Sequence, residues 1–362
     1  MDLIHASAED FDSFEFETDD IRTFVRNARE KKATVILAAT ELDENLLLDA
    51  YDAKPSDKKR KTQHFYSDFI NRLRAKEMRL LIQDHGSDVE KATFLSTDGS
   101  FAGAWLFNVP KDRHSIMTTQ EFRVALKLRL GVDFHNLLSH CCCAQRTPIC
   151  SNATHLFSCN KFKPFLLMRH NAIVHDIKQM AQHGAKRVLD SGLGRLIEED
   201  GRQGDLWVAG MGKDHSDLVL DVTIGNAPSR AYLNHSRSIA NYTLSLLEKN
   251  KFDKYAAAYR NVGIDFKPLA MEMHGATSDI FMKFFRELAS AIVEENDIPY
   301  CIIFSYWQRR VSTTLQKYNA KVLHHAINKI ARVTGLLSNG DLDLNDTVLN
   351  DRHIHNQMNV VV

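Results

Sequence analysis

Five of the six cysteines and one histidine fall within nineteen residues, at Cys141, Cys142, Cys143, Cys150, His155 and Cys159. Thiolates and imidazoles are the donors that tetrahedral zinc takes four at a time, once short loops bring them together. Cys141-x-Cys143 with His155-x-x-x-Cys159 supplies such a set, and Cys142 or Cys150 could replace one member. Thr147-Pro148 and Ser151-Asn152 are turn formers that let the chain double back between them. The spacing matches no common finger, and the competing reading is a group of small buried thiols.

A second candidate centre is made of carboxylates. Asp205 and Asp221 lie symmetrically about a turn centred near residue 213. In an antiparallel hairpin such mirror positions face each other, with Cβ atoms about 4.5–5.5 Å apart. Leu218, Leu220, Val222 and Ile224 form one face of the second strand, so alternation aims Asp221 away from that apolar face. Two carboxylates this close repel and raise one pKa unless a cation joins them. Oxygen donors so placed suit Mg²⁺, and a hard divalent ion beside phosphate favours hydrolysis. The competing reading is a pair of exposed acids flanking a turn. His170 borders the apolar stripe of Leu166, Ile173 and Val174, so it is either a core histidine or a contact to phosphate. Lys251 and Lys254, on the helix after the hairpin, could turn a cation toward the same place.

The elements that position these residues follow from apolar periodicity. Residues 21–50 read as helices; Lys54-Pro55-Ser56-Asp57 breaks them ahead of the run Lys58-Lys59-Arg60-Lys61. Phe65, Phe69, Leu73, Leu80 and Leu81 then mark a basic amphipathic helix. Residues 99–110 suggest a loop and short strand around Trp105-Leu106-Phe107. Phe122, Ala125, Leu126 and Leu130 make one stripe of a helix over 118–130, opened by the capping box Thr118-Thr119-Gln120-Glu121. A helix over 164–182 follows the cysteines. The pattern then alternates, predicting strands at 206–208 and 218–224, a long helix over 234–260 and a strand over 264–273. Further helices are expected at 276–295 and 306–336. This order describes an α/β unit over 164–336, preceded by a helix and cysteine segment (101–163), a helical region (21–100) and an acidic tail (1–20), and followed by a tail over 337–362.

The 362 residues carry 46 basic and 46 acidic side chains, with 44% hydrophobic and 25% charged residues, which excludes a disordered chain, a collagen or a coiled-coil rod. No stretch approaches the roughly 18 uncharged apolar residues of a membrane span. The N-terminus predicts no secretory signal, and its first twenty residues hold eight acids and no Lys or Arg. A reducing compartment is therefore expected for the thiols. The neutral total hides a polarised distribution. Between Phe134 and Arg187 the one acid is Asp176, against Arg146, Lys161, Lys163, Arg169, Lys178, Lys186 and Arg187, which suggests a phosphate-facing surface.

Taken in order, Gly103-Ala-Trp-Leu, Glu121-Phe-Arg-Val-Ala-Leu-Lys-Leu-Arg-Leu-Gly131, the Cys/His cluster, Arg169-His170-Asn171, Gly204-Asp205-Leu-Trp-Val, Leu220-Asp221-Val-Thr-Ile, Lys254-Tyr255 and Phe266-Lys-Pro-Leu-Ala-Met-Glu272 make a set. This set resembles the C-terminal region of non-LTR retrotransposon polyproteins that carry a restriction-enzyme-like endonuclease. It covers about residues 100–295. The resemblance implies a PD-(D/E)XK-like core, a mixed sheet flanked by helices, with a preceding zinc knuckle and a helical N-terminal region. It implies a Mg²⁺-dependent endonuclease that nicks target DNA for element integration, with structural Zn²⁺. Asp205 and Asp221 stand at its two acidic positions, His170 in its Arg-His-Asn element, and His155 and Cys159 at the end of its knuckle. Arg169, Lys161 and Lys163 would grip nucleic acid; target DNA and the element's RNA are the implied partners, in the nucleus. The Lys58–Lys61 run is a nuclear-import patch or the basic face of a helix.

Two departures matter. Gly204 stands where the family has Pro, and Thr223 stands two residues after Asp221 where the nuclease pattern has Lys. A lysine from the following helix is needed in its place, Lys254 first and Lys251 second. Without one, the fold would serve as a decayed nucleic-acid-binding module. A zinc-stabilised helical protein that meets other proteins is the third reading. No Tyr/Phe-x-Asp-Asp palm signature is present, so this chain would not copy RNA.

Overall fold

The computed structural model describes residues 75–99, 101–109, 116–131, 134, 139–149, 153–184, 186–190, 204–296 and 298–335. The chain divides into two compact units, Met1–Asp84 and His85–Val362. Residues 75–84 of the first are helical. The expected acidic tail, the helices over 21–50, the Lys58–Lys61 run and the 337–362 tail lie outside the described residues.

In the second unit the elements run α1 (Asp88–Thr97), a 3₁₀ turn (Ala104–Phe107), α2 (Thr119–Leu130), 3₁₀ turns at Thr154–Phe157 and Asn160–Phe162, α3 (Lys163–His183), β1 (Val188–Asp190), β2 (Leu206–Val208), β3 (Leu218–Gly225), α4 (Leu233–Ser236), α5 (Tyr242–Asn261), β4 (Asp265–Glu272), α6 (Asp279–Glu295) and α7 (Tyr300–Val333). Side-chain caps fix where the helices start. Thr118 accepts from the Glu121 amide at 3.1 Å while Glu121 accepts from the Thr118 amide at 2.9 Å, and Gly131 closes α2 at φ +64°. Ser87 and Glu90 form the same box on α1, and Ser278 caps α6 through the Phe281 amide.

The sheet is four-stranded in the order β1-β2-β3-β4. β1, β2 and β3 pair antiparallel, and β3 pairs parallel with β4. Because β3 is bonded on both edges and covered on both faces, it reads as a nearly continuous apolar run. Leu218, Leu220 and Val222 enter the main core with Ile173 and Ile177 of α3 and Phe281, Phe285 and Leu288 of α6. Val219 points the other way, into a smaller cluster with Phe266 and with Tyr255 and Tyr259 of α5. The sheet is thus sandwiched, and the second face is covered by α5 rather than by solvent.

The cysteine segment belongs to the same unit. Cys141, Leu156, Cys159 and Phe162 pack against Val322, Leu323, Ala326, Ile327 and Ile330 of α7. The described residues of this unit are α/β, so its scaffold is not the helical one of the third reading. Three expectations change. The short strand expected at 105–107 is a 3₁₀ turn, because Trp105 folds back onto Phe122 and its amide is claimed by Ser312 Oγ at 3.2 Å. The long helix over 234–260 is two, divided where Asn241 adopts φ +62°. β1 was not expected at all; three residues are too few for a period to show.

Candidate functional site

The first candidate centre is the cysteine knuckle. A bridge between His140 and Pro148 and the amide of Cys141 on the Thr147 carbonyl at 2.9 Å close a tight loop. Cys141 and Cys143 stand on one of its arms. Ala153 at φ +55° then starts the 3₁₀ turn that presents His155, with Cys159 just beyond it. One donor atom from each of Cys141, Cys143, His155 and Cys159 lies within 4.8 Å of the others. The sulfurs of Cys141 and Cys159 are 3.9 Å apart, and Cys143 Sγ is 3.7 Å from His155 Nε2. Tetrahedral zinc with Zn–S about 2.3 Å and Zn–N about 2.0–2.1 Å would place such atoms about 3.8 and about 3.6 Å apart. These two separations match zinc, and the other donor pairs lie within 4.8 Å, so the set could hold such an ion.

Electrostatics favour the same conclusion. Burial pushes the Cys141 thiol up to about 12 and the Cys159 thiol above its usual range. Burial acts on Cys143 too, but hydrogen bonds from the Thr147 backbone and hydroxyl and from His155 outweigh it and bring this thiol down to about 6. Backbone amides of Cys143, Thr147 and Lys161 point at the three sulfurs, a cradle suited to thiolates. A divalent cation at the centre would supply the charge that burial withholds. Cys142 stands outside this set of four, and Cys150 lies outside the described residues.

The second candidate centre is an open cleft of ≈ 490 Å³ at the end of the β2–β3 hairpin. The register pairs Leu206 with Leu220 and Val208 with Leu218. Its continuation sets Asp205 opposite Asp221, and the Asp205 amide donates to the Leu220 carbonyl at 2.7 Å. Asp205 Oδ2 accepts from the Val222 amide at 2.7 Å and lies 3.1 Å from His170 Nε2. His170 Nε2 is also 2.9 Å from the Val222 carbonyl, which can only accept, so this nitrogen carries the hydrogen. Its Nδ1 faces Asn171 Oδ1 at 3.1 Å. Burial would lower the imidazole, but the hydrogen bond and charge of Asp205 prevail and raise it to about 9. His170 is an imidazolium at neutral pH.

Asp221 is 4% exposed. Lys251 Nζ reaches its Oδ1 at 2.7 Å. Burial holds the Asp221 carboxyl above its ordinary value; Lys251 and His170 pull it down, while the charge of Asp205 pushes it up. Phe157, Leu166, Ile224 and Tyr255 give the cleft apolar walls, and Thr223 and Arg169 also line it.

The two lysines on α5 have different places. Lys251 faces the sheet and makes the ion pair, whereas Lys254 is exposed, with its ammonium 4.8 Å from the Tyr255 ring centroid. Arg169 is not a surface cation: it is 3% exposed, and its Nη1 donates to Asn319 Oδ1 at 2.8 Å. Burial brings its guanidinium down to about 10. Lys161 and Lys163 are exposed. Sequence reasoning missed Phe157 and Tyr259, and named Tyr255 only within the Lys254-Tyr255 motif. Tyr259 accepts a hydrogen bond from the Gly204 amide at 3.0 Å, beside the first acid. The four-residue spacing of Lys251, Tyr255 and Tyr259 was the available signal, since it puts all three on one helix face. It also accounts for Gly204. A Cβ there would meet Val219 Cγ1 at 2.3 Å, and a proline would have no amide to give Tyr259.

No helix among the described residues is long and apolar enough to cross a membrane. No family model matches the chain, and no curated protein matches it significantly.

Proposed function

We propose that the chain is a metal-dependent endonuclease that hydrolyses phosphodiester bonds of DNA, similar to the restriction-enzyme-like domain of non-LTR retrotransposon polyproteins. The observation that carries this reading is the meeting of Asp205 and Asp221 across one hairpin, in a single cleft with Lys251 and His170. The donor set suits a hard cation, as burial and then the charge of Asp205 push the Asp221 carboxyl up and both oxygens gain from a shared positive charge. Mg²⁺ held there would supply a Lewis acid toward a phosphoryl oxygen.

The chain's own residues do the rest. His170 holds Asp205 through Nε2–H, with the Val222 amide on the same oxygen, so the carboxylate is fixed before substrate arrives. Lys251 pulls the buried Asp221 carboxyl down against the effect of burial, and its ammonium would serve the negative charge that develops on a phosphate bound in the cleft. It takes the part of the lysine absent at Thr223. The exposed Lys161 and Lys163 would meet nucleic-acid backbone, and sequence choice comes from elsewhere. Element integration, contact with the element's RNA and a nuclear site of action belong to the same reading.

Supercoiled plasmid incubated with Mg²⁺ tests it. The parent should nick, and Asp221→Ala and Lys251→Met should lose at least about a hundredfold in rate. Thr223 favours a second reading, a module that binds nucleic acid without cutting it. Folded, zinc-loaded protein whose DNA affinity falls steeply with salt, but which never nicks, would establish that one.

A further inference from the structure

We infer that Phe157, carried between the ligands His155 and Cys159, makes the wall of the carboxylate cleft depend on metal occupancy of the knuckle. The inference rests on the proposed function only for calling that cleft catalytic. The segment 153–159 holds a single 3₁₀ turn, Thr154–Phe157. Its own backbone bonds run from Leu156 to Ala153 at 3.0 Å and from Ser158 to His155 at 3.1 Å. So short a turn has little stability alone. One candidate donor, His155, sits on the turn and a second, Cys159, lies two residues beyond it, so a bound ion would pin the segment on both sides of Phe157.

Three side chains and one carbonyl carry that anchoring to the cleft. Phe157 is 3% exposed and lines the cleft, with the Arg169 guanidinium carbon 6.0 Å from its ring centroid. Arg169 is held on its far side by Asn319, while its buried Nε has no hydrogen-bond partner among the described residues. A buried cation with an unpaired donor is sensitive to whatever covers it. Phe157 is that cover. On the other side, the Thr154 carbonyl accepts from Asn226 Nδ2 at 2.9 Å. Asn226 is 4% exposed and directly follows β3, the strand that bears Asp221. Releasing the turn would therefore uncover Arg169 and free the end of β3 together. Phe157 is a positioning residue here, not a catalytic one.

Amide hydrogen exchange on the full chain tests this, with zinc present and after removal by 1,10-phenanthroline. Removal should speed exchange at 169–171 and 222–227 by about tenfold or more, besides the expected change at 139–162. Acceleration confined to 139–162 overturns the inference, as does a purified protein that binds no zinc. Phe157→Leu, still holding one zinc, should speed exchange at 169–171, and Phe157→Tyr, which restores a ring over Arg169, should rescue it. An unchanged Phe157→Leu profile overturns the role of Phe157. Coupling observed in a protein that never nicks DNA would sink the nuclease reading and leave this one standing.

Discussion

His274 offers a pH dependence with a sign and a size. It lies in the turn after β4, where the Gly275 amide bonds the Glu272 carbonyl at 2.8 Å. Gly275, at φ +104°, comes so close to Ala102 that a Cβ would meet its Cα at 2.8 Å. Arg129 clasps the same region through the Ala102 carbonyl at 2.7 Å. Sealed in this way, His274 is 4% exposed. Burial, and then the charge of Arg129, bring its imidazole down to about 4 from an ordinary 6.5. Above pH 6.5 the ring is neutral in both folded and unfolded chains, so its contribution is complete. As pH falls below 6.5 the unfolded chain takes up a proton that the folded chain refuses, and stability is lost down to about pH 4. The gap of 6.5 − 4, about 2.5 units at 1.36 kcal/mol each, is about 3 kcal/mol. Urea unfolding of the parent and His274→Gln between pH 7.5 and 4 isolates this, since carboxylates common to both proteins cancel in the difference. The parent should lose about 3 kcal/mol more than the variant over that range. A difference between them that does not move with pH, or a His274 ring resonance that titrates near 6.5, would refute the burial argument.

Four other outcomes follow from the geometry. Zinc should bind at one per chain and be lost in Cys159→Ser, with a fall in unfolding midpoint of roughly 6–12 °C for a cost of about 3 kcal/mol; metal analysis and calorimetry check both. Lys251→Met strands the buried Asp221 carboxylate. It should cost about 2–3 kcal/mol by urea unfolding at pH 7, short of the full penalty for a buried pair because Lys251 is 28% exposed. Lys254→Met should cost under about 1 kcal/mol. Gly204→Ala drives a methyl into Val219 and should destabilise by about 1–3 kcal/mol, read by the same denaturation.

Some of this was open to reading from the residues alone. The caps of α2 are local, three residues apart, so Thr118 and Glu121 declare the helix start without any tertiary partner. The long helices announce themselves because their buried faces repeat over several turns, as Phe281, Phe284, Phe285 and Leu288 do in α6. Asp205 and Asp221 are related by a hairpin axis at residue 213, and a two-residue period leaves little choice in what faces what. The candidate donors Cys141, Cys143, His155 and Cys159 lie in one short stretch, so density and turn residues marked it out, while the choice over Cys142 needed the distances between donor atoms.

What the tertiary structure alone decided depends on how elements lie against each other. Lys251 and Lys254 differ by three residues on one helix, and their place at or away from Asp221 follows from the rotation of α5 on the sheet, set by Tyr255 and Tyr259 packing on Phe266. Arg169 looked like a phosphate grip by charge, yet Asn319, 150 positions away on α7, draws it into the interior. The pairing of His170 with Asp205 spans 35 residues and needs α3 laid over the hairpin end. Sequence thus determined the local periods, the caps and the donor types at each centre. Side-chain packing between distant segments, which no local period encodes, determined which charges meet, which are buried, and that the knuckle and the carboxylate cleft share a wall.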